Sequence, residues 1–345
     1  MPIPYLITKL RADEWRRTKV IANAWQSTTT TMSTAFWALA YDMLPEIGLF
    51  STDVEKQLLQ LKNGGLVEFN ESGLVRLTSS GLAAQADYRD NHYVPQHLQI
   101  NLMADVRAFQ DVFLLVNQSI SELAHHNAKF YPYQIDLRNQ WQVKAWLKAH
   151  PREELINAWR EALTTWLVTQ DELDADLFAA TLFGYEMNGQ LLQALPGRPE
   201  WVETDWLLWQ LDCFASLMTT GLEQQNIIGE LVGLVGRDML SESNVASIQM
   251  WQQGQSFEQV AHSRRLKLST IREHILRGAM FRNWTPEQVR SIVPPAERMK
   301  LFETFDVQPF DQWVYKDYAN GDDPIFFMYF RLFQIAQIKE RAAKA

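Results

Sequence analysis

Apolar residues recur at helical spacing along most of the chain. Near the N-terminus they predict a buried helix over residues 32–44, which Pro45 ends because proline cannot continue a helix. A second helix is predicted from an N-cap at Ser51 to about Lys62, where Asn-Gly-Gly stops it.

The next segment changes from helical spacing to two short apolar runs. Residues 66–69 and 74–77 flank an Asn/Gly-containing turn, which predicts one β-hairpin. Thr78 is a good N-cap for a further helix. The order helix, helix, hairpin, helix predicts a winged-helix-like unit.

The remaining two thirds of the chain have helical patterns. A long apolar helix is predicted over about 97–127, and shorter ones over about 138–149, 151–169, 171–183, 201–220 and 223–239. Short helices with tight turns follow over 243–253, 257–265 and 270–281, from Pro286 and from Pro295, and an aromatic helix over 325–338 closes the chain.

These patterns predict a mainly α fold with three domains. We expect a winged-helix-like domain over residues 1–90 and an acidic all-helical domain over 91–240. A helix-turn-helix domain with C-terminal packing helices is expected over 241–345.

Residues 256–275 have the form of a helix-turn-helix. Its small shared core is predicted to consist of Val260, Ala261, Leu266, Ile271 and Ile275. Ser269 is expected to cap the second helix, whose N-terminus would then suit a phosphate.

The outward side of the motif's second helix carries both polar candidates for contacts with DNA bases and apolar residues. Thr270, Glu273 and Arg277 point away from the predicted core, and Arg272 lies on its flank. Leu276 and Met280 also point outward, which indicates that the C-terminal helices cover part of this face.

Charge is distributed unevenly along the chain. The net charge is −9, yet residues 256–282 carry six basic and two acidic side chains, or +4, while residues 21–255 carry −15. An acidic body repels a polyanion, so any DNA contact is expected from the small basic patch. The candidate DNA-binding residues are Arg264, Arg265, Lys267, Ser269, Thr270, Arg272, Glu273 and Arg277.

No pattern in the chain indicates catalysis. The sequence has no phosphate-cradling Gly-rich Lys motif, no HExxH and no GxSxG, so we expect no catalytic residues, no cofactor and no metal. The single Cys213 excludes a disulfide framework and a cysteine-based structural zinc site. The acidic cluster that begins at Asp171 is interpreted as the start of a helix rather than as a calcium loop.

Location is inferred from two negative observations. No run of about 18 apolar residues is present, so no membrane-spanning segment is expected. The first residues lack a signal-peptide pattern. The expected compartment is the cytoplasm.

Two segments of residues 256–275 resemble a known family. Residues 256–261 (SFEQVA) and 265–275 (RLKLSTIREHI) resemble the helix-turn-helix domain associated with RecQ-type helicases, which also occurs in the YpbB-like proteins of low-GC Gram-positive bacteria. The hairpin region with residues 77–81 (LTSSG) and the closing residues 329–332 (YFRL) are similar to other parts of those proteins. The family usually has an acidic residue at the position of Arg272, so this copy is more basic.

The resemblance implies a non-enzymatic DNA-binding accessory protein that works with a RecQ-type helicase in DNA repair or recombination. Two alternatives stay open: a sequence-specific transcription regulator, which would need a defined operator, and a scaffold that uses its helical units only for protein contacts. The oligomeric state is left open by the sequence. We expect residues 1–240 to hold the partner-binding surface and residues 241–345 to hold the DNA-binding surface. The reason is that the second helix of the winged unit carries two acidic residues, Asp53 and Glu55, and only one basic residue, Lys56, whereas a DNA-binding helix is normally basic.

Overall fold

The computed structural model of the protein is mainly α-helical, as predicted. It describes residues 3–27, 30–133, 136–198, 200–305, 308, 310–319 and 323–344. The helices of the first half are α1 (Thr18–Gln26), α2 (Met32–Ala40), α3 (Val54–Asn63), α4 (Ser79–Asn91), α5 (Val106–Ala124), α6 (Leu137–Ala149), α7 (Arg152–Leu167) and α8 (Glu172–Ala180). Those of the second half are α9 (Glu203–Glu223), α10 (Ile227–Val232), α11 (Glu242–Gln252), α12 (Phe257–Arg264), α13 (Leu268–Phe281), α14 (Pro286–Ser291), α15 (Pro295–Phe305), α16 (Tyr315–Tyr318) and α17 (Pro324–Lys344). The strands are β1 (Arg16–Arg17), β2 (Val67–Phe69), β3 (Leu74–Leu77), β4 (Phe183–Gly184) and β5 (Met187–Asn188).

The chain forms two compact units, each assembled from separate stretches. One comprises Met1–Thr8 and Ala83–Arg237, and the other comprises Lys9–Leu82 and Asp238–Ala345. The winged part and the helix-turn-helix part therefore share a unit, which we call the basic-motif unit. The other is called the helical unit. The three-domain division predicted from the sequence stays a prediction.

The predicted hairpin of the basic-motif unit is confirmed and belongs to a larger sheet. Strands β2 and β3 pair antiparallel with Val67 opposite Leu77. Strand β1 adds to the other edge of β3, which gives the order β1-β3-β2. The Asn70 side chain closes the turn by accepting hydrogen bonds from the Ser72 and Leu74 amides at 3.0 and 2.9 Å. The two-residue β1 is too short to leave an alternating pattern, so the sequence did not reveal it.

Two predicted helix ends in the winged part are wrong. Helix α2 ends at Ala40 rather than at residue 44, because the chain turns through Asp42 at a φ of +57°. Helix α3 is capped by Asp53 rather than by Ser51, since the Asp53 carboxylate accepts from the Lys56 amide at 3.0 Å. The cap at Thr78 is confirmed by a 3.0 Å hydrogen bond from the Gly81 amide to its hydroxyl.

The C-terminal helices of the basic-motif unit pack around α13. Helices α11 and α12 contact α13, and so do α2 and α17. Helix α11 approaches α13 closely at Gly278, where a Cβ would lie 2.8 Å from both Ile248 Cδ1 and Trp284 Cη2. Lys339 of α17 donates to the Arg282 and Trp284 carbonyls at 2.8 and 3.0 Å, just after α13 ends. The aromatic C-terminal helix predicted from the sequence thus docks on this unit.

The helical unit is built around α5 and α9. Aromatic rings form its centre, with Phe113 lying 5.6 Å from Phe214 and 5.0 Å from Trp159 between ring centroids. The long helix predicted over 97–127 is wrong at its start: a 3-10 turn, Leu98–Leu102, comes first, and Asp105 caps α5. Strands β4 and β5 form a further small hairpin that the sequence did not predict.

Three further features of the helical unit agree with expectation or correct it. Asp171 caps α8 by accepting from the Leu173 amide, which confirms the acidic helix start. Cys213 is buried in α9. The helix predicted over 223–239 is instead the short α10 followed by a 3-10 turn, Gly233–Val235.

Two buried carboxylates of α9 hold the segment that follows α4. Asp205 accepts from the Tyr93 amide at 3.1 Å and contacts His92 Nδ1 at 2.8 Å. Asp212 accepts from the Gln96 and His97 amides and from the Tyr93 hydroxyl. A buried carboxylate is tolerated only when such donors replace its hydration.

Removing the Asp212 carboxylate should therefore destabilise the fold. We expect Asp212→Ala to lower the free energy of unfolding by about 3 kcal/mol, because three donors lose a buried, charged acceptor. Urea denaturation measures this change. The exposed Glu223→Ala on the same helix is the control, expected within about 0.5 kcal/mol of the parent. Equal effects of the two variants would contradict the role given to Asp212.

Candidate nucleic-acid interface

Helix α12 begins and ends with sequence-encoded caps. Ser256 and Gln259 form a capping box: the Gln259 amide donates to the Ser256 hydroxyl at 3.2 Å, and the Gln259 side chain accepts from the Ser256 amide at 2.8 Å. Ser256 is therefore the N-cap of α12.

The turn between α12 and α13 is a Schellman motif. The Leu266 amide donates to the Ala261 carbonyl at 3.0 Å, and the Arg265 amide donates to the His262 carbonyl at 3.2 Å. Arg265 occupies the left-handed position, at φ +53°, that glycine usually fills. Its side chain is exposed. The turn thus presents a guanidinium to solvent at a cost in backbone strain.

The predicted core of the motif is assembled as expected. Val260, Ala261 and Ile271 form one buried cluster, against which Leu266 packs. Ile275 joins a neighbouring cluster with Leu240 and Ile248 of the α11 region. The helix-turn-helix is thereby fixed to α11.

The prediction that Ser269 caps α13 is wrong. The helix begins two residues earlier than predicted, at Leu268, because that side chain packs against the Val260 cluster. Lys267 is the N-cap residue and makes no side-chain capping hydrogen bond. Ser269 lies exposed in the first turn. The N-cap residue of α13 therefore leaves the first turn without a side-chain capping hydrogen bond.

Five of the eight candidate DNA-binding residues share one corner of the motif. Arg265, Lys267, Ser269 and Glu273 are exposed and Thr270 is half-buried. We call these five residues the α12–α13 corner. It combines two cations with the uncapped start of α13.

Arg264 is not part of this corner. Its guanidinium turns inward and donates to the Ser243 carbonyl and to the Ser243 and Ser247 hydroxyls of α11. His274 Nδ1 lies 2.8 Å from the Ser247 hydroxyl oxygen on the other side. Arg264 thus belongs to a polar cluster that ties α11, α12 and α13 together.

Arg272 and Arg277 are also drawn away from solvent. The Arg272 side chain is only 16% exposed, and its Nη1 lies 4.0 Å from an Asp323 carboxylate oxygen. Arg277 is half-buried and donates to the Thr30 and Met239 carbonyls at 3.2 and 3.4 Å. Burial lowers the pKa of Arg277.

The distal outward face of α13 is covered, as its two apolar residues indicated. Leu276 is 8% exposed and Met280 is 3% exposed. Both line a cavity together with residues of α2 and α17. Only the first turn and a half of α13 is therefore open to a ligand as large as DNA.

Sequence reasoning missed His274, which is buried on the α11 side of α13. Burial lowers the pKa of His274, and the charges of Arg264 and Arg277 lower it further. The spacing from Ile271 could have indicated this, because residues three apart share a helix face. Among the described residues, no group of three or more His, Cys, Asp or Glu side chains is arranged to hold a metal ion.

The position of His274 predicts a pH-dependent stability. Its pKa is lower in the folded protein than in the unfolded chain, so the unfolded state binds more protons between the two values. Stability should therefore fall as the pH drops below about 6.5. His274→Gln keeps a polar partner for Ser247 without titrating. Between pH 7 and 5, the midpoint temperature of thermal unfolding should fall less steeply in this variant than in the parent. Identical pH profiles for the variant and the parent would contradict the assignment.

The comparisons agree with this geometry. Residues 243–321 match a family model described as a helix-turn-helix domain. No curated protein and no solved structure is significantly similar to the chain. None of the described helices is long and apolar enough to cross a membrane. The protein therefore contains a helix-turn-helix domain, and the α12–α13 corner presents Arg265 and Lys267 of that domain to solvent.

Proposed function

We propose that the protein is a non-enzymatic DNA-binding accessory protein that contacts DNA through the α12–α13 corner. The observation that carries the proposal is the exposure of Arg265 and Lys267 beside the uncapped start of α13, inside a matched helix-turn-helix domain. Backbone amides at a helix start and adjacent cations both suit phosphate oxygens.

The covered distal face of α13 limits how DNA binds. Leu276 and Met280 are buried, so α13 does not lie along a major groove over its whole length. The corner instead contacts the phosphate backbone, and at most the first turn of α13 enters the groove. Such contacts carry little sequence information, which favours an accessory protein over an operator-specific regulator.

The partner part of the proposal rests on sequence resemblance and charge. The helix-turn-helix resembles the domain associated with RecQ-type helicases, and residues 21–255 carry a net charge of −15. A surface of that sign favours a partner with a basic face. We propose a RecQ-type helicase as this partner, in DNA repair or recombination.

A scaffold function is the second candidate, and one observation favours it. The outward residues of α13 that would read bases in other helix-turn-helix proteins are used here for packing against α2 and α17. The same motif could then serve protein contacts alone. The experiments below separate the two candidates.

The double variant Arg265→Gly with Lys267→Ser tests the corner without harming the fold. Glycine relieves the left-handed strain at position 265, and serine supplies the missing cap at position 267. We expect unchanged or raised stability and weaker binding to random-sequence duplex DNA. The slope of log K against log salt should fall by about 0.9 for each lost phosphate contact.

Lys19→Gln with Lys56→Gln is the matched control. Both lysines are exposed on the winged part, so this variant removes the same charge from elsewhere in the basic-motif unit. Its affinity and salt slope should stay near those of the parent. Equal weakening by the two double variants would show a net-charge effect and contradict the corner as the DNA contact.

Capture of a RecQ-type helicase from the same cell tests the partner. We expect the immobilised full chain to capture the purified helicase without nucleic acid, and the corner variant to capture it equally well. Loss of capture in the corner variant would assign the helix-turn-helix to protein contacts, as the scaffold function requires. Absence of capture by the parent would contradict the helicase as a partner.

A further inference from the structure

A cavity of about 350 Å³ lies inside the basic-motif unit, between α2, α13 and α17. Its walls are mostly apolar and include Phe36 and Trp37 of α2, Leu276 and Met280 of α13 and Phe327 of α17. This volume falls in the range of sites for small organic molecules. Of the α12–α13 corner, Ser269 and Glu273 line this cavity, whereas the cations Arg265 and Lys267 do not.

Arg331 of α17 lines this cavity with an unneutralised charge. Its guanidinium carbon lies 4.2 Å from the ring centroid of Phe36 and 5.2 Å from that of Phe327, and its Nη1 donates to Gln334 Oε1 at 2.8 Å. Within the described part of the chain, no carboxylate lies within 4.0 Å of this guanidinium. Burial and, to a lesser extent, the charge of Arg17 lower the pKa of Arg331 to about 10.

A charge withdrawn from water without a counter-ion is costly, and the ring faces offset only part of that cost. Arg331 belongs to the closing residues 329–332, and neither the fold nor the DNA contact explains its charge. An anion placed in the cavity would supply the missing partner.

Arg272 adds a second cation to the wall. Its Nε atom is buried and has no hydrogen-bond partner among the described residues. Glu273 also lines the cavity, and Arg272 lies 4.0 Å from the Asp323 carboxylate, so Arg331 is the lining cation without a carboxylate partner among the described residues. One guanidinium suits a single negative charge on the ligand better than a phosphate or a nucleotide.

We propose that this cavity binds a small aromatic carboxylate, with its ring among Phe36, Trp37 and Phe327 and its carboxylate on Arg331. The rings favour a flat body, because offset and edge-to-face contacts add to the burial of apolar surface. The ligand would also touch Leu276 of α13, the second helix of the helix-turn-helix. The binding itself does not depend on the proposed DNA contact.

Isothermal titration of the full chain with 2-naphthoate and 2-naphthamide tests the proposal. The two probes share a shape, and only the acid is charged. We expect 2-naphthoate to bind at one site at least tenfold more tightly than the amide. Arg331→Gln should weaken 2-naphthoate at least tenfold and leave the amide unchanged.

Two further variants keep the test decisive if Arg331→Gln fails to fold. Leu276→Phe fills the cavity and should block both probes while retaining Arg331. Arg341→Gln removes another arginine of α17, one that donates to the Ala40 carbonyl outside the cavity wall, and should retain full binding.

Three results would overturn the proposal. They are no saturable binding of 2-naphthoate at millimolar concentration, binding that Leu276→Phe leaves unchanged, and equal affinity for the acid and the amide. Tighter binding of octanoate than of 2-naphthoate would replace the aromatic ligand with an aliphatic acid and contradict the ligand class stated here.

Discussion

The basic-motif unit depends on the burial of α13 from two sides. Its inner face packs on α11 and α12 through Ile271 and Ile275, as the core of a helix-turn-helix requires. Its outer face packs on α2 and α17 through Leu276 and Met280. Burial of each large apolar side chain contributes about 1.5–3 kcal/mol, so uncovering the outer face to admit a DNA groove would cost several kcal/mol. This cost confines the exposed part of the motif to the α12–α13 corner.

The basic side chains of the helix-turn-helix also divide into those held within the unit and those exposed to water. Hydrogen bonds or an ion pair within the unit hold the side chains of Arg264, Arg272 and Arg277. The side chains of Arg265 and Lys267 are exposed to water. The formal charge of +4 over residues 256–282 therefore overstates what a polyanion would meet. The two exposed cations are compatible with weak backbone binding, which suits a protein that acts beside a DNA-processing enzyme.

The sequence predicted the parts of the fold that depend on local signals. The cap at Thr78, the hairpin at Asn70 and the core positions Val260 and Ile271 each follow from a residue type at a fixed spacing, and the structure confirms them. The predicted cap at Ser269 is wrong because the burial of Leu268 decides where α13 begins.

The inward orientation of the Arg264 and Arg277 side chains was not predictable from local sequence signals. Their partners lie 17 residues or more from Arg264 and 38 residues or more from Arg277 along the chain, so no local pattern contains them. For the same reason the sequence did not reveal that residues 9–82 and 238–345 form one compact unit.

The covered outer face of α13 is tested most directly by cysteine reactivity. With the buried Cys213 replaced by alanine, single cysteines at Ser269, Glu273, Leu276 and Met280 would report access along the helix to a maleimide. The structure predicts fast labelling at 269 and 273 and labelling at least tenfold slower at 276 and 280, with duplex DNA slowing the first pair only. Equal rates at all four positions would contradict the account.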